Sequence, residues 1–322
     1  MEGSKWRILN AEPDSYSKEA RRCLERFATV TELPTSQEEL IGHLKGYHAL
    51  IVRLGLQINR DVLINAPELK VVISATTGTD HIDLEAATEY GIEILTLKGE
   101  REFLDSIPST AEHTWALLLA VTRKIIPAHY QIQQGDWDRQ VLRGHNLQKK
   151  RLGILGMGRV GRQVANIAQA FGMQVGSFDI NHQSFPPGLK RFDSLTELLS
   201  WSEILSIHVP LDSSTNHLLQ YEQLSVLPKG SVVINTSRAG IWDEQAVVQL
   251  LQEEHLSAVA TDVISHERDD RLRKESPLLN YQGSNLLVTP HIAGATFESM
   301  EHTEIFMARK LETFFNTLNK QA

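Results

Sequence analysis

Residues 151–179 have the sequence RLGILGMGRVGRQVANIAQAFGMQVGSFD, which combines an apolar strand, a glycine-rich turn, a helix and a second strand. Gly156, Gly158 and Gly161 follow the spacing G-x-G-x-x-G directly after the first strand. In such a turn the first glycine permits a tight bend, the second lets the backbone approach a pyrophosphate, and the third allows close helix–strand packing. The helix N-terminus adds free N–H groups and a partial positive charge. This stretch therefore predicts a dinucleotide-binding α/β unit.

Asp179 ends the second strand of this stretch, 18 positions after Gly161. A carboxylate at this place hydrogen-bonds the adenosine ribose hydroxyls and repels a 2′-phosphate. The residues that follow, Ile180-Asn181-His182, include no arginine that could accept such a phosphate. We therefore expect NAD as the cofactor rather than NADP. A glycine-rich turn that binds no dinucleotide is the alternative.

Short β-branched runs alternate with helical stretches on both sides of the motif, over residues 5–97 and again over 151–289. Near-continuous apolar strands separated by helices are typical of parallel sheets covered on both faces. The sequence thus predicts two doubly wound α/β units, the second larger than the first. Between them, one long helix is expected from Ser109 to about Gln134. Capping boxes, in which a Ser is followed three residues later by a Glu, are expected to open helices at Ser36, Ser109 and Ser194.

Composition narrows the possible functions. The chain has 322 residues, of which 41% are hydrophobic and 22% charged, as in folded globular proteins. Its net charge of −8 argues against general binding of nucleic acid, and its single cysteine, Cys23, excludes an internal disulfide. The longest apolar stretch, Trp115 to Val121, is too short to span a membrane, and the N-terminus lacks an apolar segment resembling a signal peptide. We expect a cytoplasmic protein with no nucleic-acid or membrane partner.

Three polar residues follow later strands of the second series. Arg238 comes after SVVINTS, Glu267 after AVATDV and His291 after LLVTP. The carboxyl ends of parallel strands share one edge of a sheet, so these side chains should lie close together. An arginine can hold a carboxylate bidentately, and a histidine paired with a carboxylate can donate and accept a proton. This set suits hydride transfer between a 2-hydroxy acid and its 2-oxo acid, although each residue taken alone is more often structural.

Several segments, in the same order along the chain, resemble the NAD-dependent D-isomer-specific 2-hydroxyacid dehydrogenases. They are GILGMGRVGRQVA, HVPLDSSTNHLL, INTSRAGIWDEQAV, ATDVISHE and TPHIAGAT, with VISATTGTDHIDLEAATEYGIEI and STAEHTWALLLAVTRKI in the first half. The resemblance covers most of residues 48–297. It implies that Arg238 binds and polarises the substrate, that His291 is the acid/base, and that Glu267 is paired with it. No metal is implied.

The resemblance also implies cofactor and substrate contacts. The cofactor contacts would be Gly156, Gly158, Arg159, Val160, Gly161, Asp179, His208, Pro210, Thr236, Ser237, Arg238, Asp262, His291 and Gly294, with Asp262 near the nicotinamide amide. The substrate contacts would be Arg53, Thr77, Gly78, Thr79, Arg238 and His291. Backbone N–H groups of 77–79 would help to bind the substrate carboxylate.

The family layout implies a discontinuous domain arrangement. A Rossmann NAD-binding domain, residues 106–294, would be inserted into a flavodoxin-like substrate-binding domain made of 1–105 and 295–322. Hinge motion would close the cleft, and a homodimer would form through the NAD-binding domains, with the helix from Ser109 contributing.

Two departures from the family pattern concern the substrate. The glutamate of the family is often followed by proline, whereas Arg268 follows Glu267 here, so the loop after it can differ in shape. Leu54-Gly55-Leu56 stands after Arg53 where phosphoglycerate enzymes carry further basic residues, which argues against a phosphorylated substrate. Two alternatives stay open: a dinucleotide-responsive, corepressor-like binding protein on the same fold, and an enzyme for a donor such as formate or phosphite.

Overall fold

The computed structural model describes residues 6–181 and 188–321. Lys5, where the first strand was expected to begin, and His182 lie outside these residues. The chain forms two compact units, Met1–Ser106 with Thr296–Ala322, and Ile107–Ala295. Both are α/β units with parallel sheets, so the predicted fold class is confirmed.

The first unit contains a five-stranded parallel sheet with the strand order β2-β1-β3-β4-β5, the flavodoxin-like order. Its strands are β1 (Trp6–Asn10), β2 (Ala28–Glu32), β3 (Ala49–Val52), β4 (Val71–Ser74) and β5 (Glu93–Leu95). Its helices are α1 (Lys18–Glu25), α2 (Leu40–His43), α3 (Arg60–Ile64), α4 (Leu84–Glu89) and α5 (Arg101–Asp105), together with the C-terminal helix Phe297–Gln321.

The second unit contains a seven-stranded parallel sheet. Its strands are β6 (Arg151–Leu155), β7 (Gln174–Phe178), β8 (Lys190–Arg191), β9 (Ile204–Ile207), β10 (Ser231–Asn235), β11 (Leu256–Thr261) and β12 (Leu286–Val288). The strand order β12-β11-β10-β9-β6-β7-β8 is the Rossmann order with one added edge strand, and the order reverses between β6 and β9. That reversal is where doubly wound sheets bind ligands at the carboxyl ends of their strands.

The helices of the second unit are α6 (Ser109–Thr122), α7 (Ile125–Gln133), α8 (Arg159–Ala170), α9 (Leu195–Trp201), α10 (Tyr221–Leu224), α11 (Glu244–Gln252), α12 (Asp270–Arg273) and α13 (Pro277–Asn280); the C-terminal helix of the first unit is α14. Each sheet separates two apolar clusters, because alternate strand residues point to opposite faces. In β3, for example, Ala49 and Ile51 join one cluster while Leu50 and Val52 join the other. Burial on both faces explains the nearly continuous apolar strands.

The predicted long helix from Ser109 to Gln134 is wrong, because the structure contains two helices there. Lys124 has a left-handed backbone, with φ of 53°, and this interrupts the helix between α6 and α7. The returning chain also occupies the end of α6, since His145 donates its N–H to the carbonyl oxygen of Thr122 at 3.0 Å. His145 lies 23 positions after Thr122, so helical periodicity could not reveal this contact.

The three expected capping boxes have different outcomes. The Ser194 side chain accepts from the Glu197 N–H at the start of α9, as expected, but the Glu197 carboxylate accepts from the Asp193 N–H and so does not complete the box. At Ser109 the expectation is wrong, since Pro108 occupies the cap position and the Ser109 hydroxyl makes no cap bond. Glu39 accepts a hydrogen bond from the Ser36 N–H, but α2 begins only at Leu40. Strand β2 was not anticipated from the sequence.

Candidate active site

The glycine-rich turn joins β6 to α8, and its glycines have distinct steric environments. Gly156 has φ of 94°, and a Cβ there would lie 2.9 Å from the carbonyl carbon of His208. At Gly161 a Cβ would lie 2.2 Å from the carbonyl oxygen of Gly156. At Gly158, which precedes α8, it would meet no described atom within 4 Å. The turn thus leaves open space at the helix N-terminus, which fits a phosphate group.

Asp179 lies beside this turn. One carboxylate oxygen accepts the Met157 N–H at 2.6 Å, and the other accepts the Asn181 N–H at 2.7 Å. Each oxygen keeps a further lone pair, so the carboxylate can still accept hydrogen bonds from ribose hydroxyls. Asp179 therefore also orders the turn, a contact that the motif alone does not reveal.

The first residues of α8 attach the helix to the rest of the second unit. Arg159 donates from its guanidinium to the Ile107 carbonyl at 2.9 Å, and Val160 packs against the apolar cluster beneath the helix. The chain's own residues thus offer a glycine turn, a helix N-terminus and an acid at the second strand, a donor and acceptor set that fits NAD.

His208 follows β9, on the other side of the sheet reversal. Its N–H donates to the Leu155 carbonyl at 2.7 Å, and its Nε2 lies 2.7 Å from the Ser206 hydroxyl. Desolvation lowers the pKa of His208 from 6.5 to about 3, so the imidazole is neutral at physiological pH. Pro210 is exposed two residues further on, and its carbonyl accepts from the Thr215 hydroxyl at 2.6 Å.

Thr236, Ser237 and Arg238 follow β10, and the buried Asn235 organises them. Its side-chain oxygen accepts the Ser237 N–H at 3.0 Å, and its amide donates to the Arg238 carbonyl at 3.1 Å. The Thr236 hydroxyl lies 2.8 Å from that of Thr114 on α6, and the Arg238 guanidinium donates to the Ser237 carbonyl at 2.9 Å. Sequence reasoning missed Asn235, because an amide at a strand end is unremarkable until its two partners are known.

His291 and Glu267 are paired directly. His291 Nδ1 lies 2.8 Å from Glu267 Oε1, and both side chains remain partly exposed. The other ring nitrogen, Nε2, has no hydrogen-bond partner among the described residues. A histidine held through one nitrogen by a carboxylate, with the second nitrogen facing outward, has the arrangement of a general acid/base.

Asp262, which follows β11, anchors the turn that carries His291. Its fully buried carboxylate accepts the Thr289 hydroxyl at 2.6 Å and the N–H groups of Ile292 at 2.9 Å and Ala293 at 2.7 Å. His113 Nε2 of α6 lies 3.3 Å away. Burial alone would raise the pKa of Asp262, but these hydrogen bonds outweigh it and lower the pKa below its ordinary 3.8.

The expectation for Asp262 was a contact to the nicotinamide amide. In the structure both of its oxygens hold residues 289–293, and the contact to the nicotinamide amide stays a prediction. His113 was given no role from the sequence, since nothing in a helix places it near residues 262 and 289. Gly294 lies in the same turn, and a Cβ there would meet no described atom within 4 Å.

Backbone hydrogen bonds join these loops along the carboxyl edge of the second sheet. The Asp262 N–H donates to Asn235 at 2.9 Å, the His291 N–H to Asp262 at 2.9 Å, and the Ser237 hydroxyl bonds the Val209 carbonyl. The predicted residues of the second unit are therefore gathered at one edge: the glycine turn, Asp179, His208, Arg238, Glu267 and His291.

Arg53 lies in the first unit, after β3, and its contact to the substrate stays a prediction. Its guanidinium forms an ion pair with the buried Glu304 of α14 at 2.5 Å and donates to the Asp14 carbonyl at 2.6 Å. The group is thus committed to tying α14 to the sheet. The partner lies 251 positions away in sequence, so the local pattern could not reveal it.

Thr77, Gly78 and Thr79 follow β4 of the first unit. The Thr76 hydroxyl donates to the Gly78 carbonyl at 2.8 Å and so shapes this loop. The backbone N–H groups of 77–79 have no hydrogen-bond partner within the described part of the chain. Binding of the substrate carboxylate by these N–H groups stays a prediction.

Within residues 6–181 and 188–321, no group of three or more His, Cys, Asp or Glu side chains is placed to hold a metal ion. Among the same residues, no helix has both the length and the apolar composition to cross a bilayer.

Comparisons with known proteins agree with this geometry. The model of the D-isomer specific 2-hydroxyacid dehydrogenase NAD binding domain matches residues 115–293. A D-3-phosphoglycerate dehydrogenase from Methanocaldococcus jannaschii is 34% identical over 93% of this chain and 56% of its own length. A glyoxylate reductase from Aeropyrum pernix is 35% identical over 87% of this chain and 84% of its own.

Among solved structures, D-lactate dehydrogenase from Aquifex aeolicus, complexed with NAD and lactic acid, superposes with a TM-score of 0.85 at 25% identity. The match covers 98% of this chain and 97% of that one. The chain spans just over half the length of the phosphoglycerate relative and most of the other two. The chain belongs to the D-isomer specific 2-hydroxyacid dehydrogenase family, and its second unit is the NAD-binding domain of that family.

Proposed function

We propose that the protein is an NAD(H)-dependent oxidoreductase that interconverts a small, unphosphorylated D-2-hydroxy acid and its 2-oxo acid. The observation that carries the proposal is the 2.8 Å pair of His291 and Glu267 at the same sheet edge as the glycine turn. A proton donor, a carboxylate that orients it and a dinucleotide-type turn together suit reversible hydride transfer to a carbonyl.

The chain's own residues have separate tasks in this proposal. In the reducing direction His291 Nε2 donates a proton to the substrate oxygen, and in the oxidising direction it takes the proton back. Glu267 holds the imidazole through Nδ1 and stabilises its protonated form. Arg238 binds the substrate carboxylate and polarises the neighbouring carbonyl. NAD, when bound, supplies or accepts the hydride, and the glycine turn, α8 and Asp179 would hold it.

The residues around Arg53 in the first unit support a substrate without a phosphate group. Arg53, the basic residue considered there, has its charge matched by the buried Glu304, and Leu54-Gly55-Leu56 follows. A dianionic phosphate would need further cations at that position. We therefore expect glyoxylate or hydroxypyruvate to be turned over faster than phosphohydroxypyruvate.

The test is a substrate screen that follows NADH absorbance. We expect turnover by the purified protein, and a loss of about 100-fold or more in kcat when His291→Asn removes the proton donor. NADH binding, measured by fluorescence, should be retained in that variant. His302→Asn, which changes an exposed histidine of α14, is the matched control and should behave as wild type. Turnover no higher than that of His291→Asn with every 2-oxo acid tried would overturn the proposal, and tight NADH binding without turnover would favour the binding-protein alternative.

We further propose a homodimer that forms through the second unit. Large apolar side chains are exposed on and after α7, including Tyr130 at 61% and Trp137 at 79%. Such a concentration of apolar surface is typical of an interaction site. Light scattering should give twice the chain mass of 36.2 kDa. Trp137→Glu should reduce the measured mass to that of one chain. Leu279→Glu, at another exposed apolar position of this unit, should leave the mass unchanged. A wild-type monomer at micromolar concentration would contradict the dimer.

A further inference from the structure

The loop that carries Glu267 is attached at both ends to one buried side chain, Glu244, at the start of α11. Glu244 is 5% exposed. Its Oε1 accepts the Ser265 N–H at 2.5 Å, and its Oε2 accepts the hydroxyl of the buried Ser276 at 2.7 Å. A single carboxylate therefore fixes the two ends of residues 265–276 to a helix of the core.

The loop after Glu267 lacks one local restraint that is frequent in the related pattern. Arg268 stands where the related pattern has proline, so the backbone after Glu267 has no ring to fix φ. Inside the loop, Asp269 caps α12, and the Arg273 guanidinium donates to the Glu267 carbonyl at 2.9 Å. These contacts hold the loop together but do not connect it to the sheet. Glu244 connects both ends of the loop to α11, which itself packs into the apolar core.

We propose that Glu244 is a positioning residue that keeps Glu267 in register with His291. The inference rests on the proposed function. Glu267 lies two residues after Ser265, so a displacement of the loop end passes directly to its side chain. The Nδ1–Oε1 distance is 2.8 Å, so a shift of Glu267 by about 1 Å would break the hydrogen bond. A misplacement of that size can reduce a rate by roughly 100-fold.

Two substitutions at position 244 separate geometry from charge. In Glu244→Gln, the amide oxygen can accept the Ser265 N–H and the amide nitrogen can donate to the Ser276 oxygen, so both contacts survive. In Glu244→Ala, both contacts are lost, and the Ser265 N–H and the hydroxyl of the buried Ser276 lose their acceptor. We expect the glutamine variant to resemble wild type and the alanine variant to resemble Glu267→Ala.

The first experiment is an NMR measurement on the full-length protein without substrate. With ¹⁵N-labelled histidine, the Nδ1–H of His291 should give a downfield proton signal protected by its bond to Glu267, assigned by its loss in His291→Asn. We expect the signal in wild type and Glu244→Gln, and its loss or broadening in Glu244→Ala. Glu304→Ala, which removes another buried carboxylate from the first unit, is the matched control and should keep the signal.

The second experiment is a double-mutant cycle on kcat with the fastest 2-oxo acid found. Glu244→Ala should lower kcat by 10- to 100-fold in the wild-type background and by less than about 2-fold in Glu267→Ala, because the partner to be positioned is already gone. Equal effects in both backgrounds, or an unchanged Nδ1–H signal in Glu244→Ala, would overturn the proposal. If no 2-oxo acid is turned over, the proposed function fails while the NMR measurement still decides the role of Glu244.

Discussion

Asp262→Asn tests the idea that a buried carboxylate holds the His291 turn. The wild-type carboxylate accepts three short hydrogen bonds and faces His113. The asparagine side chain keeps one oxygen, which can still accept from Thr289 and Ile292. Its amide nitrogen then faces the Ala293 N–H, which places one donor against another.

The expected cost follows from these contacts. A buried hydrogen bond to a charged acceptor contributes about 1.5–3 kcal/mol, and a buried donor left without an acceptor costs a similar amount. We expect Asp262→Asn to lower the free energy of unfolding of the second unit by about 3 kcal/mol. For a unit of this size that corresponds to a decrease in Tm of roughly 6–12 °C. Because the turn carries His291, kcat should fall by up to about 100-fold.

The effect should also depend on pH. The pKa of Asp262 in the folded protein lies below its ordinary 3.8, so its contribution to stability is present above that value and is lost as the pH falls through the folded pKa. The difference in stability between wild type and Asp262→Asn should therefore be constant near neutral pH and shrink below about pH 4.

Thermal unfolding followed by circular dichroism, together with NADH-linked kinetics, measures both effects. Asp212→Asn is the matched control, since that carboxylate is exposed and holds only a local turn around Ser214. We expect its Tm to stay within about 2 °C of wild type. If Asp262→Asn changes Tm no more than this control and kcat by less than twofold, the reasoning about the turn is refuted.

Three further predictions concern the cofactor edge. Asp179→Ala should relax the preference for NADH over NADPH, measured as the ratio of kcat/KM values; an unchanged ratio would contradict the assigned role. Gly161→Ala should abolish NADH binding and lower Tm, because its Cβ would stand 2.2 Å from the Gly156 carbonyl oxygen, and normal NADH affinity would count against that packing. His208→Gln should reduce the loss of stability in acid, because the folded pKa of about 3 makes wild type lose stability as the pH falls from 6.5 towards 3. If the plots of Tm against pH for wild type and His208→Gln are parallel, His208 is not neutral in the folded protein.

Much of the second unit could be predicted from local pattern. The second strand of the motif, Gln174–Phe178, leads directly into Asp179, and Gly156, Gly158 and Gly161 have the environments that their spacing indicated. Such features can be predicted locally, because a positive φ or close helix packing favours glycine and a strand buried on both faces favours apolar residues. The capping box predicted at Ser109 is absent, because the helix begins one residue earlier, with Pro108 at the cap position, and the Ser109 side chain is buried.

Long-range partners account for what the sequence could not show. The sequence shows only that Arg53 follows a strand, whereas its partner Glu304 becomes a neighbour only in the folded chain. The hydrogen-bond partners of Asp262 and Glu244 could not be predicted either, because they depend on which loops lie next to each carboxylate in the folded chain. His113 is one polar residue on a helix until the chain places it beside residues 262 and 289.

The sequence by itself determined the family, the two α/β units, the dinucleotide turn and the residue types of the proposed acid/base pair. The family follows from the resemblance of several segments, and the other properties follow from the pattern and spacing of residue types along the chain. Only the tertiary structure decided which carboxylates hold which loops. Asp262 anchors the histidine turn, Glu244 anchors the Glu267 loop, and Arg53 joins an ion pair, because each partner approaches from a distant part of the chain as the sheets form.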